Sequence, residues 1–487
     1  MSARVTWIAL GLLGACASSE VSPREATVAS AMTRADHALI DARPVLVAGK
    51  YARMTEDVIG YYRGSVPVFA HDFKEAGGPL SRSRFALDAP LVLGTGDPHL
   101  ENFGVLAAAD GTLGLEPNDF DTADYYPYLF ELRRMLASLV VAAHGANSDD
   151  PSARQATVDR RREIARTAAV AYASSMKAYA EGAARQPVVD AGTSTILADL
   201  WKRGKRDLAA RQELADVTVL SGGVRTLKRG VLDPASPLNT YADLPASPRA
   251  ALPEVLAEYR RSLVAPPAPE FFTVLDSVRE FGSGVASWPR VRAIVLVRGP
   301  SDDPADDMLL EVKEEADPQS AGWTPPGVHF DTIQSRVTSV ARRIWARPDA
   351  APLWGASTWM GLPVQVRAEL TGQKTLRVSR LVGDRGTPEA LASLGQVLGS
   401  LLARVHATPS PVSSQPAVSI WARLASDPAY FADEQADAAL AYGDQAAADA
   451  AGFSHSLSVL GPLLGSVVEA SDSPPPDLAA LYGAPPL

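Results

Sequence analysis

The chain is expected to fold as an α+β protein of two lobes, one helix-rich and large, the other built on a small antiparallel sheet. Three features lead there. The stretches 152–184 and 196–217 are rich in Ala, Leu and Arg with apolar residues at helical spacing, and 391–407 and 430–451 read as further helices. The stretch 272–381 instead carries short alternating or apolar runs bounded by Gly, Pro and Asp, the pattern of strands and hairpins. Two polar boxes, Gly96-Asp97-Pro98-His99-Leu100-Glu101-Asn102-Phe103-Gly104 and Asn118-Asp119-Phe120-Asp121, follow the apolar run Ala89 to Leu93. Reactive side chains on turns beside a strand are where functional groups concentrate.

Taken in order, Arg4 and the apolar run from Val5 to Ala15 form a signal-like start, too short to span a bilayer. Leu13-Gly14-Ala15-Cys16 fits a bacterial lipobox, so residues 1–16 are expected to be a signal peptide and Cys16 a lipid-modified first residue. With no aspartate after Cys16, an outer-membrane lipoprotein facing the periplasm is expected, touching the membrane only through its anchor. Cys16 is the only cysteine, so no disulfide can stabilise the fold. Residues 17–30 read as a flexible tether and 31–265 as the part of the large lobe that carries both boxes. Residues 266–386 read as the small lobe, and 387–487 as helices completing the large one.

Within these bounds, Tyr51 to Phe73 reads as helix then turn, and Tyr128 to His144 as an amphipathic helix bearing Arg133 and Arg134. Gly222 to Pro248 is loop-like by its Gly, Pro, Asp and Ser content. Phe272 to Glu280, Val291 to Arg298 and Met308 to Glu314 are expected strands, with Gly299 to Asp307 a solvated hairpin tip. His329 to Arg347 is an expected helix. Pro363 to Leu370 and Thr375 to Leu381 read as a second hairpin, and the Pro-rich tail from Ser473 as loose. A net charge of -10 argues against general nucleic-acid affinity, because a phosphate backbone would be repelled.

The boxes carry the chemistry. Two carboxylates with an asparagine between them suit phosphoryl transfer: one carboxylate orients or deprotonates the attacking group, and the amide and second carboxylate hold Mg²⁺. Asp97 is thus the candidate catalytic carboxylate. Asn102 and Asp119 are candidate metal ligands, with Asp121 a second-metal ligand or a carboxylate behind the first ligands. A hard cation prefers oxygen, so His99 is expected to buttress the loop. Glu101 is expected to be solvated, and Arg63, beside Gly64, to bind an anion or form a surface ion pair. Arg133 and Arg134 either pair with Asp119 or Asp121 or lie on a solvated face.

The spacing G-D-x-H-x-x-N followed by D-F-D resembles the catalytic and metal-binding loops of aminoglycoside-phosphotransferase-like kinases, with Thr95 where those enzymes carry a leading His. The resemblance implies Mg²⁺ and ATP or another nucleotide. It also implies a glycine turn over the phosphates at Gly282 and Gly284, and a strand lysine, Lys313, in Glu311-Val312-Lys313-Glu314. The third glycine of such a turn would fall at Ser287. In ordinary kinases these elements precede the boxes; here they follow, so the resemblance is to a circularly permuted kinase. A kinase helix after the lysine supplies a glutamate to pair with it. Here 331–347 has none, leaving Asp331, Gln334 or Glu314 as substitutes.

Tyr62-Arg63-Gly64, both boxes, Glu131 to Ser138, Leu310 to Glu314, Leu402 to Ala407 and Ala441 to Gln445 together resemble the bacterial family catalogued as domain of unknown function 2252. The functional expectation is therefore a phosphotransferase that modifies an unidentified acceptor. A catalytically silent kinase-like binding module is the alternative. A two-cation phosphoester hydrolase using Asp97, His99, Asp119 and Asp121 is a third reading.

Overall fold

The computed structural model describes residues 20–75, 78, 80, 82–87, 91–108, 110–143, 151–210, 212–232, 239–315, 330, 332–347, 351–369, 372–468 and 476–483. Cys16 and the signal segment lie outside the described residues, as do His329 and Asp331.

Four helices open the fold: α1 (Pro23–Ala42), α2 (Pro44–Met54), α3 (Val58–Gly64) and α4 (Val66–Lys74). The expected tether is thereby shortened. Ser22 and Glu25 form a reciprocal capping box that starts α1, and Val28, Ala29, Ala31 and Met32 bury one of its faces. Arg24 fixes the start of the helix by bonding both Asp72 (2.7 Å) and Asp449 (2.5 Å). Strands β1 (Val92–Gly94), β2 (Phe103–Ala107), β3 (Leu113–Pro117) and β4 (Asp124–Tyr126) flank the two boxes.

Helices α5 (Tyr128–Ala142), α6 (Pro151–Ala180), α7 (Thr195–Ala210) and α8 (Gln212–Val217) follow. Where the sequence suggested a loop, Gly222 to Pro248 instead supplies strands. A hairpin of β5 (Thr218–Ser221) and β6 (Val224–Leu227) precedes β7 (Gly230–Val231) and β8 (Thr240–Asp243), which enter the main sheet before α9 (Ala246–Ser262). The turn residues that suggested a loop mark the bends between these short strands.

The rest comprises β9 (Val274–Phe281), β10 (Arg292–Val297), β11 (Met308–Glu314), α10 (Ile333–Ile344), β12 (Trp354–Trp359), β13 (Leu362–Ala368) and β14 (Lys374–Thr375). Then come α11 (Pro388–His406), α12 (Pro416–Leu424), α13 (Pro428–Leu460) and α14 (Pro476–Leu481). The β10–β11 hairpin is as expected, although Asp307 at its tip is buried against Arg225 at 3.2 Å. The second hairpin differs. β13 pairs with β12 around Met360–Gly361, both with positive φ, while β14 leaves that sheet and pairs with β2. Of the tail, the described residues 476–483 include α14, whose Leu481 is buried against the α9 cluster.

The fold is mixed α+β, and its main sheet is antiparallel with seven strands, ordered β12-β13-β11-β10-β9-β8-β7. Period-two alternation divides its faces. Ala293, Val295, Val297, Leu310, Val312, Val364 and Val366 pack on Leu252, Leu256 and Tyr259 of α9. Each such buried side chain is worth ~1.5–3 kcal/mol. Arg292, Lys313 and Gln365 are register partners on the other face, which turns toward the boxes. The larger core joins α5, α6 and α11 beneath β2 and β3.

Candidate functional site

The first box hangs between β1 and β2. At Gly96, φ is +82°, and a Cβ there would come within 2.1 Å of the Thr122 carbonyl oxygen, so only glycine fits this turn. Glu131, wholly buried on α5, accepts from the Gly96 N–H (2.6 Å) and the Thr95 hydroxyl (3.0 Å). Its other oxygen meets His406 Nε2 at 2.9 Å, and His406 Nδ1 meets the Tyr172 hydroxyl at 2.8 Å. Thr95, which occupies the place of a leading His, is thus part of the support for the loop.

Arg134 Nε donates to Asp97 Oδ1 at 2.7 Å, and its guanidinium lies over the Tyr62 ring. Both Arg133 and Arg134 are fully buried, which corrects the expectation of pairing with Asp119 or Asp121 or of a solvated face. Arg133 binds Gln435 (2.8 Å) and the Arg82 carbonyl (2.9 Å). Burial outweighs Arg134 and pushes the Asp97 carboxyl up from 3.8 to about 6. His99 Nδ1 accepts from the Glu101 N–H at 3.2 Å, and burial together with Arg63 and Arg134 holds its pKa well below the usual value. The neutral ring therefore carries its proton on Nε2, 3.8 Å from Asp97 Oδ2.

Asn102 donates its amide N–H to the Asp97 carbonyl at 2.9 Å, which leaves Oδ1 as the atom that could meet a cation. Asp119 shares the next wall. Burial and the neighbouring Asp121 raise its pKa, against the pull of Lys313. Asp121 meets the sheet: Lys313 Nζ lies 2.6 Å from Oδ1 and 2.5 Å from Oδ2, and Gln365 Nε2 lies 3.2 Å from Oδ1. Burial alone would raise the Asp121 carboxyl, but Lys313 beside it produces a net lowering.

Lys313 therefore takes its partner from the second box. Glu314 is occupied by Arg43 (2.6 Å) and the Val291 N–H (2.7 Å), and Gln334 by Thr358 (3.3 Å). From α10, Arg336 points at the box and donates to the carbonyls of Asp121 (2.9 Å) and Ala123. Among the described residues no group of three or more His, Cys, Asp or Glu converges to hold a metal ion. Asn102 Oδ1 and the Asp119 carboxylate are two hard oxygen donors, a set that suits Mg²⁺ completing its shell with phosphate oxygens and water.

Sheet and boxes enclose a cleft. Its larger compartment, about 640 Å³, is lined by Lys313, Asn102, Asp119, Gly282, Gly284 and Arg367 among others. Both glycines have positive φ, +86° and +79°, and the Gly282 carbonyl accepts from Arg53 at 2.8 Å. A smaller compartment of about 160 Å³ is lined by Asp97, His99, Asp121, Lys50 and Arg63. Asn102 and Asp119 line both compartments and so form the shared wall.

Glu101, expected to be solvated, is buried and receives Arg63 (2.9 Å), Arg377 (3.2 Å) and the Val378 N–H (2.8 Å). Sequence reasoning also missed the structural parts of Glu131, His406 and the buried Glu116–Arg404 pair. Glu131, Arg404 and His406 do lie within the motifs quoted above, but a motif does not say which members meet.

The chain belongs to the family described as an uncharacterized protein conserved in bacteria (DUF2252), whose model matches residues 43–456. No curated protein and no solved structure matches it.

Proposed function

We propose that this member of the DUF2252 family is a phosphotransferase that uses a Mg²⁺-bound nucleotide, on a kinase-like fold whose sheet lobe follows the catalytic loops in the chain. The observation that carries the reading is the contact of Lys313 with Asp121. It closes a sheet lysine onto the second box across 192 residues of sequence, with Asn102 and Asp119 on the same cavity wall.

In this reading Asn102 and Asp119 would hold Mg²⁺, which would neutralise charge developing on the transferred phosphoryl group. Lys313 binds the donor phosphates beneath the Gly282–Gly284 turn. Asp97, with its carboxyl near 6, is largely ionised at neutral pH and within reach of a proton in the smaller compartment. It takes the acceptor's proton while the acceptor oxygen or nitrogen forms its bond to the terminal phosphorus. The bond from that phosphorus to the bridging oxygen breaks, and the nucleoside diphosphate leaves with the electron pair.

Calorimetric titration of Mg²⁺-ATP into the protein, beside Asp119→Asn, tests this. Magnesium-dependent binding lost in the variant is expected; no binding of any nucleotide by the folded protein would overturn the reading. One observation favours the silent-module alternative: the α10 side chain facing the box is Arg336, so Lys313 has no helix carboxylate to release it from Asp121. The two-cation hydrolase is less well supported, because Lys313 holds Asp121 and the Glu101 amide occupies His99 Nδ1.

A further inference from the structure

The larger compartment holds a second concentration of positive charge, separate from the one around Lys313. Arg53, Arg63 and Arg377 all line it. Arg63 and Arg377 share one carboxylate oxygen, Glu101 Oε2, at 2.9 and 3.2 Å. Arg53 has no carboxylate within 4.0 Å among the described residues; it donates to the Gly282 carbonyl and lies over the Trp288 ring, 5.0 Å from its centroid. Burial lowers the Arg53 pKa, Glu56 and Asp57 raise it, and the like charges Arg63 and Arg377 lower it further, whereas the charges acting on Lys313 are Asp121, Asp119, Arg292 and Glu311.

The acids Glu56 and Asp57 line the same compartment. Asp57 caps α3 through the Gly60 N–H at 2.6 Å, and Glu56 is exposed. Three guanidinium groups therefore face one buried carboxylate. The Arg53 fork is already held by a ring and a carbonyl, a preorganised arrangement for a planar or tetrahedral anion. Arg63 also lines the smaller compartment with Asp97, so this charge adjoins the acceptor side of the cleft.

We propose that Arg53, Arg63 and Arg377 form an anion subsite that holds a phosphate or carboxylate group of the acceptor, which is therefore an anionic small molecule and not a neutral alcohol or a polycationic sugar. The word acceptor rests on the phosphotransfer reading; the anion site does not.

The test is titration of inorganic phosphate and, separately, succinate into the full chain without nucleotide or Mg²⁺, following heat and tryptophan fluorescence. At least one anion is expected to bind. Arg53→Gln should weaken it at least tenfold and Arg377→Gln at least fivefold, while Lys313→Met changes it less than threefold. Circular dichroism would establish that each variant is folded. Absence of binding by both anions would overturn the proposal. So would loss in Lys313→Met with Arg53→Gln unaffected, which would place the anion at the donor phosphates. Anion binding by the parent protein, should that parent bind no Mg²⁺-nucleotide, would sustain the anion site and retire the phosphotransfer reading.

Discussion

Replacing Asp97 by asparagine should stabilise the fold while abolishing the proposed phosphotransfer. The folded protein holds the Asp97 proton up to about 6, against an ordinary 3.8. Between those values the native state binds more protons than the unfolded chain, so stability falls as pH rises through this window. At about 1.4 kcal/mol per pH unit, the ionised group destabilises the native state by ~3 kcal/mol above pH 6 and by less than ~1 kcal/mol at pH 4. Asparagine keeps the size and an acceptor for Arg134 Nε, and Arg134 retains the Tyr62 carbonyl at 2.6 Å. Asp97→Asn should therefore be more stable than the parent by ~2–3 kcal/mol at pH 7.5, a gap that closes by pH 4. Urea unfolding at the two pH values measures it. A variant less stable than the parent at pH 7.5, or a gap independent of pH, would refute the reasoning.

Lys313→Met should leave Asp121 buried without its cation, costing about 3–5 kcal/mol in urea unfolding and removing Mg²⁺-ATP binding. Adding Asp121→Asn should recover much of the stability and none of the binding. Glu131→Gln can keep an acceptor at Gly96 and Thr95 but turns its NH2 toward His406 Nε2 and removes the charge on the acceptor, and thermal unfolding should register a loss of about 1–3 kcal/mol. Gly399→Ala on α11 would set a Cβ 2.1 Å from the Ala168 carbonyl oxygen of α6, and backbone cannot swing aside. A loss of at least about 1–3 kcal/mol is expected there; an unchanged melting temperature would mean that the helices separate freely.

Local signals were legible in the sequence and long-range partners were not. The boxes and the β10–β11 hairpin follow from apolar runs broken by turn residues, and they are found where that pattern puts them. Gly222 to Pro248 misled because β7 has only two residues and β8 four, too short for alternation to register. Arg134 misled for another reason. α5 is buried almost all round, so its arginines have no polar face to mark, and only tertiary packing brings Asp97 to one of them. No glutamate on the helix after Lys313 answers the lysine. Here the answer comes from Asp121, 192 residues earlier.

The C-terminal turn of α11 has a mechanical meaning. Arg404 grips Glu116 ahead of the second box, and His406 grips Glu131 behind the first, so both loops stand on one strut. A well-packed interior passes displacement along and does not absorb it. Sliding that strut would carry Asp97 and Asp119 together, preserving their spacing while changing the gap to Lys313 on the sheet. Second-site suppressors of a cleft lesion should accordingly map far from any ligand, along the α6–α11 seam where Ala168 meets Gly399.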